Sequence, residues 1–228
     1  MFPDESRWDQ VAKNFNRTKR RAKFITFEGI DGSGKSTIID EVRDELERRG
    51  FSVLVNREPG TTEMGDKLRE LLKSNTPRSK RTELFIQEAC RVDIIEQRIL
   101  PNLYKYDYIL NDRYTDSTVA YQGAGNGNDQ GLINELNILA TRDIKPDLTF
   151  FIDTDFEIAR SRVLHRAGVK DTFDNDQDFA KRVYNEYQHL SNRNDIITIK
   201  NNDNVDFAIK AIIGYLRKLE FDWVRYRA

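Results

Sequence analysis

Apolar residues along this chain fall into two kinds of run. Short stretches rich in aromatic and β-branched side chains occur at 24–28 (FITFE), 51–56 (FSVLVN), 108–111 (YILN), 148–153 (LTFFID) and 196–200 (IITIK). They lack strict polar alternation and read as strands covered on both faces. Between them, apolar positions recur at helical spacing near 35–49, 64–74, 82–104, 130–142, 155–166, 177–191 and 204–219. Gly50 is placed to end the first helix, and Pro59-Gly60 marks a turn. On the helix starting near 82, Phe85, Ala89, Val92, Ile95 and Ile99 are expected to form the apolar face, with Gln87, Arg91, Ile94 and Arg98 opposite. Strands alternating with helices predict an α/β fold, a five-stranded parallel sheet flanked by helices. Ahead of it, Trp8, Val11, Ala12 and Phe15 stand at i, i+3, i+4 and i+7. That spacing predicts a short amphipathic helix packed on the domain, followed by a basic hinge over 17–23.

Charge and composition narrow the class. Lys and Arg number 37 against 38 Asp and Glu, a net charge of −1. A uniformly basic nucleic-acid surface and an acidic disordered chain are both excluded, and nucleic acid is not an expected partner. The imbalance is local: residues 1–23 hold seven basic and three acidic residues. Residues 1–22 are therefore read as a basic amphipathic extension and 23–228 as one domain. Cys90 is the sole cysteine, so no internal disulfide is possible and a reducing compartment fits. No apolar run reaches the ~18–20 residues of a membrane span. Met1, Phe2, Pro3, Asp4 and Glu5 lack the charged-then-apolar layout of a signal peptide. A cytoplasmic location, with no membrane partner, is the expectation.

The chemistry enters at 29–37. Gly29, Ile30, Asp31, Gly32, Ser33, Gly34, Lys35, Ser36 and Thr37 match G-x-x-x-x-G-K-[ST] directly after a strand and at the opening of a helix. Glycines let backbone N–H groups and the helix N-terminus close around phosphates. Lys35 adds a cation for the terminal phosphates, and the Ser36 hydroxyl can ligate Mg²⁺. The motif binds a nucleoside triphosphate. A GTPase would need a base-reading N-K-x-D, which is absent from the sequence. A small-substrate kinase fits the length better than a motor.

Four segments in register then resemble the thymidylate kinase family: FEGIDGSGKST (27–37), REPG (57–60), DRYTDSTVAYQG (112–123) and PDLTFFID (146–153). The resemblance spans about 23–220. It implies a three-layer P-loop NTPase-type fold with a short helical lid at about 158–178, transfer of phosphate from ATP–Mg²⁺ to dTMP, and a homodimer. Residues 29 and 31–37 would bind ATP. Arg113 would lie between donor and acceptor phosphates, with Asp112 orienting Mg²⁺ beside Ser36 and Asp31 near the metal and the acceptor sugar. Lys35, Arg113 and Asp31 are thus the catalytic expectations outside the lid. Arg91 would anchor the acceptor, with Glu58, Arg69, Thr118, Tyr121 and Gln122 lining its site. A tyrosine under the deoxyribose would disfavour a 2′-hydroxyl.

Two positions depart from or complete that pattern. The family commonly stacks a Phe on thymine where this chain has Gln87, so an amide hydrogen-bonding a more polar base, such as hydroxymethyl-dUMP, is the alternative acceptor reading. Some members place a catalytic Arg in the phosphate loop, where this chain has Gly32. The basic lid run, with Arg160, Arg162, Arg166 and Lys170, would then supply it. Arg166 is favoured over Arg162 for closing on the phosphoryl group, and Arg160 is assigned to ATP. Two rival functions remain: a deoxynucleoside kinase using Glu58 as base, and a non-catalytic P-loop binding module whose basic arm meets nucleic acid or a partner. His165 and His189 stand too far apart to suggest a metal site. Cys90 is expected to pack in its helix, and Phe221, Trp223 and Tyr226 on the domain.

Overall fold

In the computed structural model, residues 21–165 and 177–225 are described, the last seven by backbone alone. The amphipathic segment around Trp8, the lid residues Arg166 and Lys170, and the aromatic side chains of the C-terminus lie outside that set.

Five strands form one sheet in the order β2-β3-β1-β4-β5, every neighbouring pair parallel. They are β1 (Lys23–Glu28), β2 (Val53–Arg57), β3 (Tyr108–Asp112), β4 (Leu148–Asp153) and β5 (Ile196–Lys200). The helices are α1 (Lys35–Arg48), α2 (Glu63–Lys73), α3 (Lys80–Ile94), α4 (Thr115–Thr118), α5 (Gln130–Thr141), α6 (Phe156–His165), α7 (Gln177–Leu190) and α8 (Val205–Arg225). β1 is central, and its alternate residues serve opposite faces. Ile25 and Phe27 pack with Ile38, Val42 and Leu46 of α1 and Ile212 and Leu216 of α8. Phe24 packs with Ile94, Ile95 and Tyr114 on the other side. Thr26, on that second face, meets Thr149 of β4 through a buried hydroxyl pair at 2.8 Å.

Local chemistry explains where the elements begin and end. Gly50 ends α1 at φ 86, with Gly50 N–H donating to Glu47 and Phe51 N–H to Leu46. This cap spends Phe51 on helix termination, so β2 starts at Val53 instead of 51. Ser79 accepts from Thr82 N–H and starts α3 at Lys80. The helix does not run regularly to 104: it passes into a π turn at Ile95–Ile99, then a 3-10 turn at Leu100–Asn102 that contains Pro101. A second π stretch, Val119–Gly125, follows α4 where no element was expected. Its two glycines weaken local propensity, and packing on α7 holds it.

The expected face of α3 is corrected. Phe85 and Val92 are 48% and 38% exposed, and Ala89 is exposed with them. Leu84, Glu88, Arg91 and Ile94 face inward instead. Two of these are charged, so hydrophobicity alone pointed to the wrong stripe. The π turn then carries Ile95 and Ile99 into the core beside Ile94. Cys90 is buried, as expected of a packing residue, and burial pushes its thiol up to about 12. Among the described residues no helix is long and apolar enough to cross a membrane.

The Thr26–Thr149 pair gives a sharp test of this core. Thr26→Val alone strands the Thr149 hydroxyl and should cost about 1–3 kcal/mol, whereas Thr26→Val with Thr149→Val should be nearly neutral. Urea unfolding of the two variants measures the difference.

Candidate active site

Parallel strands end on one edge, and here that edge gathers the predicted residues. In register, Phe27 of β1 and Arg57 of β2 both align with Asp112 of β3. The phosphate loop, Glu58 and Arg113 therefore emerge side by side, at the switch point where order reverses around β1. The loops after β4 and β5 contribute from the far side. Thr154 donates to the Ser33 carbonyl at 3.1 Å and Asn201 Nδ2 donates to it at 2.7 Å.

α1 is poised for an anion. It opens at Gly34, φ 89, with no side-chain cap and no acidic residue in its first turn. α2, α3 and α5 are each capped by a side chain, Thr62, Ser79 and Asp129. The first N–H groups of α1 are left for a ligand. Gly32, φ 78, is required by proximity: a Cβ there would sit 2.1 Å from the Ala159 carbonyl of α6. The Lys35 ammonium donates to Gly29 and Ile30 carbonyls at 2.9 and 3.0 Å. Burial and the neighbouring Arg113 lower its pKa to about 8, opposed by Asp112, Asp31 and Glu28. Ser36 and Thr37 are exposed at the loop mouth.

The donor set fits Mg²⁺. Ser36 Oγ donates to Asp112 Oδ2 at 3.1 Å, while buried Asp112 Oδ1 has no hydrogen-bond partner among the described residues. A hydroxyl beside an unsatisfied carboxylate oxygen is the hard-oxygen chemistry this ion takes.

Arg113 occupies the centre. Its φ of 74 is left-handed, a cost of about 1–3 kcal/mol for a non-glycine residue. The backbone is held by Arg113 N–H to Phe27 O at 3.0 Å and by Asn111 Nδ2 to Arg113 O at 2.8 Å. Its guanidinium donates to Gly29 O, Ser117 Oγ and Tyr187 Oη through Nη1, and to Asp31 and Tyr121 through Nη2. It also lies 4.8 Å from the centre of the Tyr121 ring. Burial works to raise the Asp31 carboxyl, but the Arg113 and Lys35 charges outweigh it and hold it below its ordinary value.

Arg91 lines the floor of the pocket and is 2% exposed. It donates to Glu58 at 2.9 Å, Glu88 at 2.7 Å, Thr118 at 2.8 Å, Asn137 at 2.7 Å and the Tyr114 carbonyl at 2.9 Å. Through these bonds Arg91 braces the pocket floor, and it also lines the acceptor-side depression. Glu58 also accepts from Asn111 at 2.9 Å, so both its oxygens are occupied. Burial still raises its pKa against the pull of Arg91. Each oxygen keeps a second lone pair, and Glu58 lines both depressions of the site.

Two depressions meet here. One runs over Gly32, Gly34, Lys35, Ser36 and Asp112; the other is walled by Gln87, Thr118, Tyr121, Gln122 and Phe179. They share Asp31, Glu58, Arg69, Lys73 and Arg113. Gln122 donates to Glu83 at 3.1 Å, whereas Gln87 makes no hydrogen bond among the described residues. Phe85 is on the outer surface, and Phe179 of α7 supplies the aromatic wall, 6.2 Å from the Tyr121 ring.

The lid expectations separate. Arg162 donates to the carbonyls of Gly32, Asn201 and Asn202, tying α6 to the loop. Arg160 pairs loosely with Glu157 and lines neither depression. Arg166 is outside the described residues. Sequence reading passed over Lys73, although it stands one turn beyond Arg69, an i, i+4 signal. It also passed over Ser117, although that residue sits within the 112–123 segment, and over Phe179 and Tyr187, which carry no motif of their own.

Comparisons with known proteins agree with this geometry. The family profile described as thymidylate kinase matches residues 27–212. A thymidylate kinase of Ruthia magnifica is 43% identical over 171 residues, 74% of this chain and 83% of that protein. One from Thermosipho melanesiensis is 39% identical over 191 residues, 83% of this chain and 94% of its own. The crystal structure of thymidylate kinase from Ehrlichia chaffeensis superposes with a TM-score of 0.70 at 32% identity, covering 87% of this chain and 99% of that one.

The buried Arg91 cluster generates a stability prediction. Arg91→Met leaves two buried carboxylates without their cation and should cost about 3–5 kcal/mol. Glu58, whose carboxyl burial already raises, would then take up a proton on folding, so the native state binds more protons than the unfolded one. Stability of the variant should fall as pH rises, with a smaller deficit at pH 5 than at pH 8. Urea titrations at the two pH values read this directly.

Proposed function

The chain belongs to the thymidylate kinase family, and from that premise we propose that it transfers the γ-phosphoryl group of ATP to dTMP, giving dTDP and ADP. The observation that carries the reading is the sharing of Arg113 between two depressions, one on the phosphate loop and one against Tyr121. A cation common to donor and acceptor sites is placed where phosphoryl transfer develops charge.

Each residue then has a task. The N–H groups opening α1 and the Lys35 ammonium hold the donor phosphates. Ser36 and Asp112 would hold Mg²⁺, which neutralises phosphate charge when bound. Arg69 and Lys73 face the junction from α2 and receive the acceptor phosphate, with Arg91 at the floor of the same depression. Asp31 holds the Arg113 fork and faces the sugar, and Tyr121 packs beneath the deoxyribose. Arg162 is spent on carbonyls, so Arg166 is the cation assigned to close over the transferring group.

A second reading concerns the base. The Gln87 carboxamide lines the acceptor side with no hydrogen bond among the described residues, which favours an additional polar contact to the base. A 5-hydroxymethyl substituent would satisfy it. ADP release with dTMP, dUMP, hydroxymethyl-dUMP, dCMP and thymidine separates the possibilities. Preference for dTMP, retained in Gln87→Phe, is the expected result. Preference for the hydroxymethyl substrate that Gln87→Phe abolishes would move the function to a modified deoxyuridylate. Turnover of thymidine alone would refute the monophosphate-kinase reading.

We also assign a second copy of the chain to the outer face of α3. Phe85, Ala89 and Val92 make an exposed stripe there, and the adjoining α2 and α5 add Met64 and Ile138, 54% and 58% exposed. Sedimentation equilibrium should report a dimer for the wild type and a monomer for Phe85→Glu with Val92→Glu. A wild-type monomer at micromolar concentration would defeat the assignment.

A further inference from the structure

One buried carboxylate takes no part in the chemistry above. Glu28 closes β1 on the sheet face turned toward α4 and α7, and it is 1% exposed. Its two oxygens serve two parts of one arginine. Oε1 accepts the Tyr114 N–H at 2.7 Å, immediately after the left-handed Arg113. Oε2 accepts the Ser117 hydroxyl at 2.6 Å and the Tyr187 hydroxyl at 2.9 Å. Both hydroxyls in turn receive Arg113 Nη1, at 3.1 and 3.0 Å.

We propose that Glu28 is a positioning residue for phosphoryl transfer, setting the backbone of Arg113 through Tyr114 and its guanidinium through Ser117 and Tyr187. The proposal rests on the reading of Arg113 as the cation on the transferring group. Its physical basis is the direction of two protons. Ser117 and Tyr187 also lie 2.8 Å apart, and an ionised carboxylate, which only accepts hydrogen bonds, draws both hydroxyl protons to itself and away from that contact. Their lone pairs are thereby turned to Arg113, which only donates. A neutral group at Glu28 could itself donate, and the hydroxyl protons would swing toward the guanidinium. The fork would lose two of its acceptors without any change in packing volume.

The charged surroundings of Glu28 come from several elements. Arg113 follows β3, Asp116 lies on α4 and is paired to Arg193 at 2.6 Å, Tyr187 lies on α7, and Lys35 opens α1. Burial first, and the Asp116 charge second, push the Glu28 carboxyl up to about 7 against the pull of Arg113. The directing form is the ionised one, present above that value.

Steady-state kinetics on Glu28→Gln, Tyr187→Phe, their double variant and Arg113→Ala test the idea. Glu28→Gln should lower kcat by about tenfold or more, with KM for both nucleotides within about twofold of wild type. The double variant should be no slower than Glu28→Gln alone, because without the carboxylate the tyrosine hydroxyl has already ceased to accept from Arg113. The wild-type kcat should climb as pH rises through about 7, and that limb should vanish in Glu28→Gln while titration of the nucleotide phosphates persists in both. Wild-type kcat in Glu28→Gln, or additive losses in the double variant, would overturn the proposal. If Glu28→Gln does not fold, the Ser117→Ala and Tyr187→Phe cycle decides: kcat losses that do not add support it, and additive losses or none reject it. Full activity in Arg113→Ala would remove both this role and the reading beneath it. A slow Arg113→Ala beside an unimpaired Glu28→Gln would remove this role alone.

Discussion

A guanidinium taken out of water carries five N–H donors that must all find acceptors, and two arginines at one sheet edge impose that demand on most of the site. Arg113 draws its acceptors from the phosphate loop, from Ser117 after β3, and from Tyr187 on α7. Arg91 draws its own from Glu58 after β2, from Glu88 on α3, and from Asn137 on α5. Between them they fix the relative position of three strand ends and four helices. The pocket has its shape because these two cations are solvated by protein. Both line the acceptor-side depression, Arg113 at its junction with the phosphate loop and Arg91 at its floor.

What could be read from the sequence follows from how far apart the interacting residues are. The phosphate loop was legible because its chemistry is contiguous: glycines, Lys35 and Ser36 lie within nine positions, and strand and helix flank them. β1, β3 and β4 were legible because a strand buried on both faces needs only a local apolar run, and the edge strands β2 and β5 keep enough β-branched residues to be read the same way. The inward face of α3 was not, since it was assembled around charges whose partners arrive from β2 and α5. Glu28 sits within a legible segment, but its partner Tyr187 stands 159 residues away and carries no local pattern. Gln87 shows the converse. Its departure from the family was visible at once, while the ring that walls the pocket, Phe179, came from a helix read only as amphipathic.

The donor side is organised by backbone more than by side chains. The Ser33 carbonyl is claimed by Thr154 and Asn201, and the Gly32 carbonyl by Arg162, so the loop is tied to the ends of β4 and β5 and to α6. Those ties point carbonyls outward from the bend, which turns the N–H groups inward to the phosphates. The basic character of α6 thus serves the loop, an effect that charge counting along the helix does not distinguish from direct contact with a nucleotide.

The π turn at Ile95–Ile99 constrains how this gene can change in length. Its extra residue lets Ile94, Ile95 and Ile99 all face the core while Arg98 reaches Asn56 on β2 at 3.1 Å. Loss of one codon there would leave a regular helix, yet turn everything beyond it by about 100°. Arg98 would swing off the sheet and Ile99 toward solvent. Insertions and deletions drift freely in surface loops, but inside this helix a frame-preserving deletion would act as a screw thread cut at the wrong pitch, and only a second, compensating length change nearby would restore the fit.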